Sequence, residues 1–486
     1  MSTQHPDNVR MPFFASGPLL SGEDEVREAF YAFSHLGCDE QMWDFEGKEV
    51  DEFVVEKLLS AHEPFFREHV LGRDLFLTPR VPNPRLEPGQ AKVLLEVLHS
   101  LPRHSDVARM VYGDPSTPVF EVIYPMTTSA QEVGRIASYY ARFVGGLDDV
   151  VLTPGDEPLG RLFGAFEPKQ ISVIPLIEEK PYLLAADELV RAHLAEARAA
   201  GQRVFIARSD PALNYGWVAA ILLSLVALDR LQRLEDRVGT PIWPIIGVGS
   251  SPFRGNLRPP TAARSLARYP SVQTYTIQSA FKYDHSVDDA RAAIAMLKSA
   301  PRGRAISVAD EPLARDVLER SALRYAAEVA ELAPLVNALA AHVPRRRMRR
   351  LHVGLFGYSR PQAGPVSLPR AITFCAALTS RGLPPEVLGL AALEERDWEY
   401  LTAAVPGFAA DCRDAARWLD PRAADGATPL VREAIGALLR RIGEPESEVA
   451  TEHAEIARAI RAREAAGDPA LGELVVRAAE LRGYLG

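Results

Sequence analysis

The chain has 486 residues, of which 47% are hydrophobic and 24% charged, with a formal net charge of −9; this is ordinary globular composition and excludes long disorder. The acidic balance disfavours bulk nucleic-acid binding, which needs a basic surface, and the longest apolar run, Trp217 to Leu228, ends in Asp229-Arg230 and falls short of the ~20 residues of a membrane span. Sparse cysteines (Cys38, Cys375 and Cys412, with no metal-ligand spacing) and an N-terminus with neither a basic head nor an apolar stretch predict a cytoplasmic protein.

There is no internal repeat. Residues 1–70 read as an arm and helices that cover an active site. Short apolar, β-branched runs then recur between long helical stretches: Asp74 to Arg80, Val119 to Met126, Ile171 to Glu178, Val204 to Asp210, Pro244 to Ser250, Val272 to Gln278, a weak run at Ala305 to Ala309, and Leu351 to Tyr358. Such runs mark strands of a parallel sheet buried on both faces. Eight of them predict an α/β fold, a (β/α)₈ barrel over residues 71–380 with many additional helices; an open doubly wound sheet is the alternative. Residues 381–486, rich in Ala, Leu, Arg and Glu, read as a helical region packed on the barrel as part of one catalytic unit.

Chemistry-bearing residues collect at the strand ends. Ile171 to Glu178 and Val204 to Asp210 both finish in a carboxylate. One such acid would be read as a helix cap; two at equivalent places favour a shared hard cation, Mg²⁺ or Mn²⁺. The next run enters Gly247-Val248-Gly249-Ser250-Ser251-Pro252-Phe253-Arg254-Gly255, where small residues let backbone N–H groups approach an anion and Arg254 adds a bidentate partner. Arg360, in Tyr358-Ser359-Arg360-Pro361, and Arg370, at a helix start with Pro369 in the first turn, suit an anion site. Arg80 follows a strand, and Lys48 closes the polar turn Asp44-Phe45-Glu46-Gly47-Lys48. His5 is a general base only if the N-terminal arm folds into the barrel mouth. The basic run Arg345-Arg346-Arg347-Met348-Arg349-Arg350 reads as a structural or subunit-contact patch ahead of an effector or nucleic-acid site.

Taken in order, these segments resemble phosphoenolpyruvate carboxylases of the short archaeal type, over nearly the whole chain. Thr3-Gln4-His5-Pro6-Asp7 resembles the family's catalytic Thr-Ala-His-Pro-Thr motif, Ile174-Pro175-Leu176-Ile177-Glu178 its metal-binding Pro-Leu-Phe-Glu segment, and Ser209-Asp210-Pro211-Ala212-Leu213-Asn214-Tyr215-Gly216 the segment carrying its second metal ligand. Arg254 falls on the second arginine of the Gly-rich loop, Arg360 and Arg370 on two further arginines, and Arg80 on a substrate-binding arginine. Val122 to Thr127 resembles another barrel strand. The sequence departs from the family at Val248, Leu213 and Ile246, where an arginine, a lysine and a histidine are usual, which leaves Lys48 or Lys282 to supply a cation.

The resemblance implies irreversible, biotin-independent carboxylation of phosphoenolpyruvate by bicarbonate, an anaplerotic carbon dioxide fixation that feeds oxaloacetate to the tricarboxylic acid cycle. The implied route passes through carboxyphosphate and a metal-held enolate. Catalytic roles fall to His5, Arg254, Arg360 and Arg370, substrate binding to Arg80, Gly247, Gly249, Ser250, Lys48 and Lys282, and metal binding to Glu178 and Asp210. The N-terminal arm and the Gly-rich loop are the expected mobile lids. A homotetramer and small-molecule effectors such as aspartate or malate are also implied. The rival readings are another barrel lyase or mutase of enolate chemistry, and a non-enzymatic protein that binds RNA or an acidic partner through Arg345 to Arg350.

Overall fold

Eight short parallel strands close into a barrel: β1 (Ser2–Thr3), β2 (Glu40–Asp44), β3 (Phe76–Arg80), β4 (Glu121–Tyr124), β5 (Ser172–Ile177), β6 (Gln202–Ala207), β7 (Ile242–Gly247) and β8 (Thr274–Ile277). The computed structural model describes residues 1–486 except 115, 198–199, 348–365, 444–446, 465–467 and 469. Each strand pairs with its neighbour in sequence, and β8 returns to β1 with Thr276 opposite Ser2 and Ile277 opposite Thr3. The middle of the barrel is filled by side chains, not solvent: Met42, Ile123, Ile174, Leu176, Phe205, Ala207 and Ile245 form one apolar cluster. Because all strands run the same way, their C-terminal ends share one face, the usual place for chemistry in this fold.

The opposite end is closed by charge. Arg203 on β6 donates to both carboxylate oxygens of Glu40 on β2 (2.9 and 2.8 Å) and to Glu121 on β4 (2.7 Å), and the Thr78 hydroxyl on β3 donates to Glu40. Burial would raise the Glu40 carboxyl, but Arg203 and these hydroxyl bonds win and hold it at about 2. Burial raises the Glu121 carboxyl against the pull of Arg203. The Glu40 contribution is therefore complete above its ordinary value of 4.5 and is lost as pH falls toward about 2. We expect Glu40→Gln to cost about 3 kcal/mol, the scale for breaking a buried pair. Thermal unfolding checks this: the wild type should lose the advantage over the variant between pH 4.5 and about 2.

One of the expected strands differs, and one is not described. Ala305 to Ala309 is not a strand; its backbone turns to side chains of the helix Trp217–Val238, with the Val308 N–H on the Asp229 carboxylate and the Ala305 N–H on Gln232. Leu351 to Tyr358 lies outside the described residues. β1 and β2 complete the closed barrel, so the strand wall runs from Ser2 to Ile277 and its first two strands fall within residues 1–70.

The helix Trp217–Val238 is buried at every position from Trp217 to Asp229, and shares one apolar core with the 30-residue helix Glu311–Ala340 and with Phe374, Leu378, Leu401, Phe408 and Leu438 of the later helices. That explains an apolar run too long for one face of a surface helix. Residues beyond 380 are helical as expected, and among the described residues no helix is long and apolar enough to cross a membrane.

Candidate active site

A cavity of about 140 Å³ opens at the C-terminal face of the barrel. Its wall is built from residues at or just past successive strand ends: Gln4 and His5 after β1, Glu46 and Lys48 after β2, Arg80 closing β3, Glu178 after β5, Arg208 to Asp210 after β6, Gly247 and Arg254 from β7 and its loop, and Gln278 after β8. Arg370 enters from outside the barrel as the N-cap residue of the helix Ala371–Ser380. Pro369 therefore precedes the cap and does not stand in the first turn.

Arg254 is buried and fixed on three sides. Its guanidinium donates to the Gln278 side-chain oxygen (2.6 Å), the Ser209 hydroxyl (3.2 Å) and the Gly486 carbonyl (2.7 Å). The Gly-rich loop achieves this by folding on itself. Gly249 N–H donates to the Arg254 carbonyl (2.7 Å), Leu257 N–H to the Gly249 carbonyl (2.9 Å), and Arg254 and Asn256 N–H to the Ser251 carbonyl. A Cβ at Gly249 would lie 2.6 Å from the Arg254 guanidinium carbon, so this glycine makes room for the arginine. Gly249 and Ser250 do not line the cavity, contrary to expectation: the first has its N–H inside the loop, and the Ser250 hydroxyl accepts from Ala280 N–H. We expect Gly249→Ala to displace Arg254 and raise KM for an anionic substrate with little change in thermal stability, measured by steady-state kinetics beside an unfolding scan.

His5 is buried, with its Nε2 turned to the Gln41 amide nitrogen (3.3 Å) and the Glu28 carboxylate (3.9 Å) and its ring edge-to-face on Trp43. Its Nδ1 has no hydrogen-bond partner among the described residues. Burial pushes the imidazole well below 6.5, with Arg347 and Lys48 pushing the same way against Glu28 and Asp44. The ring is thus neutral at neutral pH and able to accept a proton.

The arm that carries His5 is anchored in the fold. Ser2–Thr3 is a barrel strand, and the carbonyls that follow are each held by a cation: Gln4 by Lys282 (3.0 Å), His5 by Lys48 (2.8 Å), Pro6 by Arg347 (3.1 Å), Val9 by Arg346 (2.9 Å). Lys48 also pairs with Asp44, and Arg80 donates to the other Asp44 oxygen at 2.8 Å. The basic run thereby gains a use within the fold. Arg347 is buried and makes a double ion pair with Glu28 (2.6 and 2.8 Å), so it offers no surface to RNA. Residues 348–350 lie outside the described residues.

The family model for phosphoenolpyruvate carboxylase matches residues 1–486. The chain belongs to the phosphoenolpyruvate carboxylase family. It is similar to the phosphoenolpyruvate carboxylases of Methanospirillum hungatei (52% identical over 87% of each chain), Methanothermobacter thermautotrophicus (47%, over 100% of this chain and 99% of the other) and Pyrococcus abyssi (44%, with the same coverage).

Of the residues singled out from the family's motifs, His5, Arg80, Glu178, Asp210, Gly247, Arg254 and Arg370 meet in the one cavity, with Lys48. Arg360 lies outside the described residues. Lys282 does not line the cavity: it is buried behind the arm, 2.7 Å from Glu28. At the family's departures, Val248 is core and Leu213 lines the cavity as an apolar wall, which leaves Lys48 as the lysine of that wall. Gln4, Glu46, Arg208 and Gln278 were not foreseen as site residues. Gln278 had a signal, since it ends its apolar run as Glu178 ends another.

A divalent cation fits the donor set. Glu178 and Asp210 line the same cavity, with one Glu178 oxygen accepting the Met126 N–H at 2.8 Å. Among the described residues no group of three or more His, Cys, Asp or Glu could cage a metal. Two carboxylates with room for a phosphorylated ligand match Mg²⁺, which takes its other ligands from substrate and water.

Proposed function

We propose that the chain carboxylates phosphoenolpyruvate with bicarbonate, giving oxaloacetate and phosphate without biotin. As a member of this family it is an enzyme, a carboxy-lyase. The observation that carries the reading is the meeting of a neutral His5 with Glu178, Asp210, Arg80, Arg254 and Arg370 in one cavity at the barrel's C-terminal face.

Arg254, Arg370 and Arg80 bind phosphoryl and carboxylate oxygens through paired N–H donors. Bicarbonate attacks phosphorus, which yields carboxyphosphate and the enolate of pyruvate. His5 takes the carboxyphosphate hydroxyl proton, so that the carbon–oxygen bond to phosphate breaks and carbon dioxide and phosphate separate. The enolate carbon then attacks carbon dioxide. A Mg²⁺ or Mn²⁺ held by Glu178 and Asp210 would supply positive charge where the enolate oxygen develops its negative charge. Leu176, Phe205 and Leu213 give the cavity an apolar side that limits water, and water would protonate the enolate to pyruvate.

The reading extends to a cytoplasmic homotetramer with an anaplerotic role in supply of the tricarboxylic acid cycle, with residues 381–486 as part of the catalytic unit and aspartate or malate as effectors. One coupled assay tests the core: oxaloacetate should form from phosphoenolpyruvate only with both bicarbonate and a divalent cation. Oxaloacetate formation without added bicarbonate in decarbonated buffer would remove the proposal.

A further inference from the structure

The helix Glu23–Tyr31 lies outside the strand wall and contributes nothing to the cavity lining, yet it places Glu28 against the back of His5. Glu28 is completely buried, and its two oxygens are held by Arg347 (2.6 and 2.8 Å), Lys282 (2.7 Å) and the Tyr283 hydroxyl. The same two cations hold the backbone on either side of the histidine, Lys282 at the Gln4 carbonyl and Arg347 at the Pro6 carbonyl. Three side chains from two segments, Lys282 and Tyr283 of Ala280–Asp284 and Arg347, thus fix this one carboxylate.

We propose that Glu28 is the positioning residue of His5: its fixed charge, 3.9 Å from Nε2, stabilises the imidazolium formed when the ring takes a proton. The inference rests on the reading of His5 as the base. The logic is that of a histidine whose proton affinity is governed by a fixed carboxylate. Nε2 faces the Gln41 amide nitrogen at 3.3 Å, and Nδ1 has no hydrogen-bond partner among the described residues. The charged groups around the ring are Glu28 and Asp44 on one side of the balance and Arg347 and Lys48 on the other. Glu25, 3.8 Å from Arg347, is raised to about 8 by burial. Glu28 is thus the nearest anion to the ring, at 3.9 Å.

Glu28→Gln keeps the shape and removes the charge. We expect kcat for oxaloacetate to fall by about 10–100-fold, the usual cost of a partner that acts through another group, with KM for phosphoenolpyruvate unchanged. More pyruvate should form per oxaloacetate. Glu28 raises the proton affinity of His5, so its loss should move the acid limb of the kcat profile to lower pH; a structural role would move neither the limb nor the product ratio. In a His5→Asn background the same substitution should add no further loss. Wild-type kcat, product ratio and pH limb in Glu28→Gln would overturn the inference. If Glu28→Gln does not fold, Glu28→Asp decides: the carboxylate withdrawn by one methylene should lower kcat and raise the pyruvate fraction, and unchanged values overturn the proposal. His5→Asn alone separates the two claims. Normal carboxylation by that variant removes the base assignment itself, whereas a silent Glu28→Gln beside an inactive His5→Asn removes only the positioning role.

Discussion

His5→Asn is expected to abolish oxaloacetate formation while phosphoenolpyruvate is still bound and partly dephosphorylated. The cavity arginines do not depend on the imidazole: Arg254 is held by Gln278 and Ser209, and Arg80 by Asp44. Losing a general base costs about 10²–10⁴-fold, and here the lost step is the release of carbon dioxide beside the enolate. The expected signature is phosphate release exceeding oxaloacetate, with pyruvate making up the difference. In the wild type the neutral form of His5 is the active one. Burial holds its proton affinity below the ordinary 6.5, so activity should persist below that pH and fall only as pH drops through the depressed value. A kcat profile with an acid limb above pH 6.5 would count against this environment.

Asp210→Asn is expected to remove metal-dependent activity. Asp210 stands in the first turn of the helix Ser209–Tyr215 and shares the cavity with Glu178, the other carboxylate assigned to the cation. The amide keeps the size and most hydrogen bonding but not the charge that a hard cation needs. Electrostatic stabilisation by a metal is worth several kcal/mol, so a loss of about 10³-fold or more in kcat/KM follows at 1.36 kcal/mol per decade. Titration of Mn²⁺ by electron paramagnetic resonance gives a readout independent of turnover. Affinity should weaken by more than the about 10–100-fold typical of losing an outer-shell partner. An unchanged Mn²⁺ titration would remove Asp210 from the ligand set.

Much of this site is written in the sequence because its parts sit at strand ends, where an apolar run breaks into a polar residue. Glu178, Asp210 and Arg80 are visible for that reason. The strands that carry the base are not. β1 has two residues, and β2 reads Glu-Gln-Met-Trp-Asp, a pattern that looks polar because its side chains have partners from distant elements. Glu40 meets Arg203 from β6, and Gln41 reaches His5. Burial of polar residues by pairing defeats any reading based on hydrophobic runs. The converse error occurs at Ala305 to Ala309, an apolar stretch whose backbone is satisfied by Asp229 and Gln232 instead of a neighbouring strand. Glu28 and Arg347 stand 319 residues apart in sequence, and nothing local announces their pairing. The Gly-rich loop was readable in outcome but not in detail: it delivers Arg254, while its own N–H groups at Gly249, Arg254 and Asn256 are spent inside the loop.

The most direct test follows the oxygen atoms. Bicarbonate fully labelled with ¹⁸O should leave one labelled oxygen in each phosphate released, in step with oxaloacetate, because attack on phosphorus transfers a bicarbonate oxygen to it. Oxaloacetate formed with unlabelled phosphate, or phosphate released at the same rate without bicarbonate, would contradict carboxylation through carboxyphosphate in this cavity.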